Sequence, residues 1–126
     1  MQMISLFLID ANSTFLRIAS GLLRESYGNE VQIMGMATNV HDALPQMRAS
    51  QPQVILLGLS QQNLHDLESI EQIRTILPNT RIIVLGLLDM SSYRQSAQKA
   101  GAHAFVPKVA LNTTLIHVIR QVTGLS

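Results

Sequence analysis

The chain has 126 residues, 13% of them charged and 47% hydrophobic, with a net charge of +1 and no cysteine. That length holds one hydrophobic core and not two, the near-neutral balance excludes a basic nucleic-acid footprint or an acidic tail, and the missing cysteines exclude disulfides, thiolate nucleophiles and Cys-ligated zinc. No apolar run approaches the ~18–20 residues of a membrane span, and "MISLFLI" lacks the basic flank of a signal peptide, so the sequence reads as a soluble, cytoplasmic protein.

Met3–Ile9 opens the chain as a buried strand. A helix follows at Ser13–Tyr27, with Phe15, Leu16, Ala19, Leu22 and Leu23 on one stripe, Asn12 or Ser13 as its cap and Gly28 at its end. "VQIMGMA", Val31–Ala37, is a more mixed strand, as suits a sheet edge. The second helix, near Val40–Ala49, contains Pro45, which predicts a helix that is short or starts late. Val54–Gly58 is the third strand. Leu64, Leu67, Ile70, Ile73 and Leu77 give the third helix its stripe, and Pro78 stops it. Arg81–Leu85 is the fourth strand, Ser91–Ala100 an alanine-containing helix closed by Gly101, and Ala104–Val106 the fifth strand. Leu111, Leu115, Val118, Ile119 and Val122 face one side of the last helix, after which residues 123–126 read as the start of a linker.

Strand-length apolar runs that alternate with helix-period stretches are the signature of βα units around a parallel sheet covered on both faces. Five units predict an α/β, doubly wound, flavodoxin-like (βα)5 sandwich over residues 1–122, with strand order 2-1-3-4-5. Ligands of such folds bind outside the carboxyl ends of the strands, at the switch point between strands 1 and 3. Asp10, Ala11, Gly58, Gly86 and Lys108 would line that crevice.

Three stretches, "LFLIDANSTFLRIASGLL", "QPQVILLGLS" and "IRTILPNTRIIVLGLLDMSSYRQSAQKAGAHAFVPK", carry a resemblance to the receiver domain of two-component response regulators. It is most similar to the receivers that precede a LuxR-type helix-turn-helix output. The resemblance implies phosphoryl transfer from a histidine kinase to an aspartate at the end of strand 3, with Mg²⁺ held by that aspartate and an acidic pair after strand 1. Each part has a physical reason: a carboxylate nucleophile, oxygen ligands for a hard cation, and a hydroxyl and a lysine for the new oxygens. On this sequence the pair falls on Asp10 and Ala11, the phosphoacceptor on Gly58, a carbonyl ligand near Ser60, and the switch hydroxyl on Gly86. Lys108 matches the family's lysine and Phe105 its switch aromatic, although Val109 stands where many receivers have proline. Without a carboxylate at residue 58, the resemblance implies a degenerate receiver that is not phosphorylated there and binds Mg²⁺ weakly or not at all, so no cofactor is expected.

Most remaining polar residues have plain readings. Asp10 is expected to pair with Lys108 across the crevice. Ser60 is a loop serine with no base beside it. Asp66 and Asp89 suit helix caps. His41, His65, His103 and His117 lie in different elements at no metal-ligand spacing. Tyr93, Arg94, Lys99 and Phe105 fall on the family's signalling face, and without a hydroxyl at Gly86 the Phe105 ring is expected in a single rotamer. Three functions follow from these residues. The first is a non-enzymatic interaction module that works as a homodimer or on a protein partner or attached output domain, regulates transcription, and itself touches neither nucleic acid nor membrane. The second is a small-molecule sensor in the emptied crevice. The third is a working receiver with an unusual acceptor.

Overall fold

The computed structural model of the chain describes residues 3–59, 64–86 and 91–124, with the side chains of residues 64–66 and 91–93 left aside. Its elements, in chain order, are β1 (Ile4–Ile9), α1 (Ser13–Tyr27), β2 (Val31–Ala37), α2 (Val40–Ser50), β3 (Val54–Leu59), α3 (Leu64–Ile76), β4 (Arg81–Gly86), α4 (Ser91–Ala100), β5 (Ala104–Pro107), a single 3₁₀ turn at Lys108–Ala110, and α5 (Leu111–Thr123). All strand pairs are parallel and the order is β2-β1-β3-β4-β5, as the sequence predicts.

Side chains alternate across the sheet and so divide the core into two layers. Phe7, Ile55, Leu57, Ile82 and Val84 pack on one face with Met47 of α2, Ile70 and Ile73 of α3 and Ala97 of α4. Leu6, Leu8, Val54, Leu56, Ile83, Leu85 and Val106 pack on the other with Leu16 and Leu23 of α1 and Leu115 and Ile119 of α5. The central strands are covered on both sides, which is why they read as unbroken apolar runs.

Two local features depart from the sequence reading. Helix α2 neither starts late nor is short. It runs for 11 residues from Val40 with Pro45 inside it, and Asn39 caps it by accepting from Asp42 N at 2.8 Å. The bond that Pro45 cannot donate would have gone to the carbonyl of His41, and both residues are exposed. That carbonyl lies on the solvent side of the helix, so the proline costs far less there than on a buried face. The second feature is a register shift between Leu6 and Phe7, where Leu6 pairs with Ile33 but Phe7 with Gly35, so that Met34 is the extra residue of β2. Gly35 lies under the Phe7 ring, where a Cβ would stand 2.7 Å from Phe7 Cε2.

Candidate functional site at the carboxyl ends of the strands

Asp10 follows the last residue of β1, and its amide still donates to Ala37 O of β2 at 3.1 Å. Its side chain is buried on the α1/α5 side of the sheet, with 2% of it exposed. Asn12 fixes one carboxylate oxygen: its backbone N–H donates to Oδ1 at 2.8 Å, while its own side chain caps α1 by accepting from Phe15 N at 3.1 Å. Lys108 reaches the other oxygen from the turn after β5, with Nζ 2.6 Å from Oδ2. This is a charge contact rather than a directed hydrogen bond, because Oδ2 meets no donor at hydrogen-bonding angles. The ammonium also lies over the Phe15 ring, 4.2 Å from its centroid, an arrangement that favours a desolvated cation.

Gly58 owes its place to this pair. It lies in β3 beside β1, and a Cβ built on it would overlap Asp10 Oδ2, with Asp10 Cγ only 2.6 Å and Asp10 Cβ 3.0 Å away. The Asp10 carboxylate therefore fills the volume that a side chain at residue 58 would take.

A second glycine does the same on the opposite face of the sheet. Gly86 ends β4, and a Cβ there would stand 2.5 Å from Phe105 Cζ and 3.0 Å from Phe105 Cε2. The Phe105 ring thus lies inward, in the space where the resemblance puts a switch hydroxyl, and the Arg94 guanidinium of α4 stacks over it 5.2 Å from the centroid. Lys99, on the same helix, is exposed.

The structure thus brings Asp10, Gly58 and Lys108 together and sets Gly86, Phe105 and Arg94 as a second group. Ala11 is exposed and contributes no carboxylate. Ser60 and Asp89 lie outside the described residues, as do the side chains of His65, Asp66 and Tyr93. His41 and His117 are exposed on α2 and α5, and His103 precedes β5 rather than starting it. Phe15 was legible only as part of the α1 stripe; its position five residues after Asp10, in the first turn of α1, is the signal that marks it as a roof for Lys108.

The magnesium site implied by the resemblance does not fit these residues. Mg²⁺ is usually held by one or two carboxylates plus phosphate oxygens and water. The one carboxylate here has one oxygen on Asn12 N–H and the other on Lys108, and among the described residues no three His, Cys, Asp or Glu side chains cluster as metal ligands.

Comparison with known proteins agrees with the fold. Residues 6–120 match the family described as the response regulator receiver domain. A transcriptional regulatory protein of Bacillus subtilis, YxjL, is 30% identical over 91 residues, which is 72% of this chain and 42% of YxjL. DesR, another transcriptional regulatory protein of that organism, is 26% identical over 120 residues, 95% of this chain and 58% of DesR. The chain thus spans about half the length of these two relatives. Among solved structures, a LuxR-family two-component response regulator from Aurantimonas sp. superimposes with a TM-score of 0.85 at 19% identity, over 98% of this chain and 86% of that one. RcsB of Salmonella typhimurium gives 0.83 at 16% identity over 98% of this chain and 62% of that one. At such identities these two likenesses speak for the fold alone. No helix among the described residues is long and apolar enough to cross a membrane. From its strand order, its crevice and the family match over residues 6–120, the chain belongs to the receiver domains of two-component response regulators.

Proposed function

We propose that this receiver domain signals without aspartyl phosphorylation at residue 58, as a non-enzymatic module that controls an output through protein contacts. The observation that carries the reading is the Asp10 carboxylate, seated where an acceptor side chain would stand and held there by Asn12 and Lys108. An aspartyl phosphate needs a carboxylate at that place and a cation to neutralise the phosphoryl oxygens. Gly58 offers no carboxylate, and the lysine is already engaged.

The Phe105 ring supports the second half of the reading. It is packed against Gly86, a residue with no hydroxyl to draw it inward, and on this reading the surface made by α4, β5 and α5 keeps one shape whatever the phosphorylation state of the cell. A fixed surface can still hold a partner or bias a dimer, because both depend on complementarity. The output we assign is transcription regulation, on the strength of longer relatives named as transcriptional regulators, of which this chain matches 42% and 58%. A homodimer, or an attached or separate output domain, is the partner, with no direct nucleic-acid contact by this domain. Mg²⁺ is not required, and the cytoplasm is the compartment that suits such a module. A small-molecule sensor is the weaker reading, because the volumes freed by the two glycines hold Asp10 and Phe105.

Intact-mass measurement after incubation with Mg²⁺ and a small phosphodonor tests the reading, with an ordinary receiver as positive control. The expected result is an unchanged mass, together with amide NMR signals of Asp10, Gly58 and Lys108 that stay in place on addition of Mg²⁺ and then beryllofluoride. A gain of one phosphoryl group mapped to the crevice would overturn it.

A further inference from the structure

The amino-terminal end of the sheet, remote from the crevice, carries a cationic group that the proposed function does not use. Arg81 is the first residue of β4, His103 immediately precedes β5, and Arg74 lies in the last turn of α3. His103 is held tightly: its own N–H donates to Ile82 O at 2.8 Å, and Ile82 N–H donates back to the ring Nδ1 at 3.0 Å. Arg74 is placed by its Nη1 donating to Pro78 O at 2.7 Å and by its stem crossing Gly101, where φ is +121° and a Cβ would stand 2.6 Å from Arg74 Cγ.

A neutral imidazole has one acceptor nitrogen and one donor. Nδ1 spends the acceptor on Ile82, so the hydrogen-bond network assigns the ring hydrogen to Nε2. That Nε2–H faces Nη1 of Arg81 at 3.3 Å, and a guanidinium has only donors. With that tautomer the 3.3 Å contact sets two donors side by side, and among the described residues no carboxylate pairs with Arg74, Arg81 or His103. Burial, and then the charges of Arg74 and Arg81, hold the ring below its ordinary pKa, which agrees with a donor surrounded by positive charge. Arg81, though not His103 or Arg74, also borders an open polar cleft of about 460 Å³ with Gln53, Asn79, Gln121 and Thr123, so an acceptor can reach the guanidinium from that side.

We infer that Arg81 and His103 form a binding site for a small oxyanion, a phosphate or carboxylate group, with one oxygen accepting from both Nε2–H and the Arg81 guanidinium and Arg74 adding its field. A shared oxyanion turns the donor–donor confrontation into two charge-assisted or polar hydrogen bonds. The site is separate from the crevice, so its fate does not depend on whether residue 58 is an acceptor.

The test is ¹H–¹⁵N NMR of the histidine rings and arginine side chains during titration with inorganic phosphate and, separately, acetate, at ionic strength matched with sodium chloride. The expected result is an Nε2–H tautomer for His103 and a saturable shift of His103 Nε2 and the Arg81 side chain. In Arg81→Gln the apparent affinity should fall by about tenfold or more, the loss of one charge-assisted hydrogen bond, while the amide of Gly58 stays where it is and reports an intact fold. Saturation by phosphate alone assigns the site to phosphate groups, and saturation by acetate as well extends it to carboxylates; both uphold the inference. An Nδ1–H tautomer, a shift that never saturates, or an unchanged titration in Arg81→Gln would sink it.

Discussion

Alanine at Gly58 adds one methyl group and should cost more than its size suggests. The backbone there is not left-handed, and at such positions Gly→Ala ordinarily stabilises by ~0.4–1 kcal/mol through the unfolded chain. Here the methyl overlaps the Asp10 carboxylate, which must swing out and give up both the Asn12 N–H bond and the Lys108 contact. A hydrogen bond to a charged group is worth ~1.5–3 kcal/mol, so after the unfolded-state gain the net loss is ~2 kcal/mol. For 126 residues an unfolding entropy of ~2.1 cal/mol/K per residue converts that into a fall in Tm of ~8 °C. In an Asp10→Ala background the space is empty, and the same alanine should stabilise by ~0.5 kcal/mol. Urea and thermal unfolding of the four proteins of this cycle read the sign change directly. Equal shifts in the two backgrounds would mean that Asp10 does not occupy the space above Gly58.

Lys108→Ala leaves the buried Asp10 carboxylate without its cation and should destabilise by ~2–4 kcal/mol, whereas Lys99→Ala, at an exposed position, should stay within ~0.5 kcal/mol; equal losses in urea unfolding would refute the pairing. Gly86→Ala must displace the Phe105 ring at a cost of ~1–3 kcal/mol, seen as a change in the ring's NMR shifts, and an unmoved ring would contradict the packing. The His103 ring, held below its ordinary value of 6.5 by burial and then by Arg74 and Arg81, takes up its proton more readily in the unfolded chain; its contribution is therefore complete above pH 6.5 and is lost as pH falls through the folded value. His103→Gln should flatten that part of the stability profile. Glu30 is held below its ordinary value of 4.5 chiefly by the hydrogen bonds from Arg120, at 2.6 and 2.8 Å, so its contribution is present above that pH and fades on acidification. Arg120→Gln should weaken the slope there, and an unchanged acid limb would count against the bond. Gln51 ends α2 in a left-handed conformation with φ 47°, so Gln51→Gly should stabilise by ~1 kcal/mol, measured as a higher urea midpoint.

The five βα units and their order were legible because a parallel sheet buried on both faces leaves long apolar runs, and because stripes such as Leu16, Ala19 and Leu23 can only face a core. The Asp10–Lys108 pair was legible too, since the topology brings the ends of β1 and β5 to one crevice and opposite charges there lower each other's desolvation cost. What a glycine makes room for was not. Gly58 and Gly86 announce a missing side chain, but the neighbour that takes the space is decided by rotamers of Asp10 and Phe105, which leave no trace in the pattern of residue types. Pro45 misled for the opposite reason: propensity prices the lost hydrogen bond as if the carbonyl were buried, and only the fold tells that His41 faces water. The stack of Arg94 on Phe105 joins two residues already placed on one face, yet their contact depends on the ring having turned inward.

The extra residue at Met34 bears on how copies of this domain can meet. A regular outer strand would offer its free backbone groups as a template for another molecule's strand, the route to run-on sheets and fibres. Here one border of the sheet is β2, broken in register at Met34, and the other is β5, only four residues long and ended by Pro107. Neither border can be extended far. Any contact between copies is thereby left to the helical surfaces, where an isologous pairing closes on itself instead of running on.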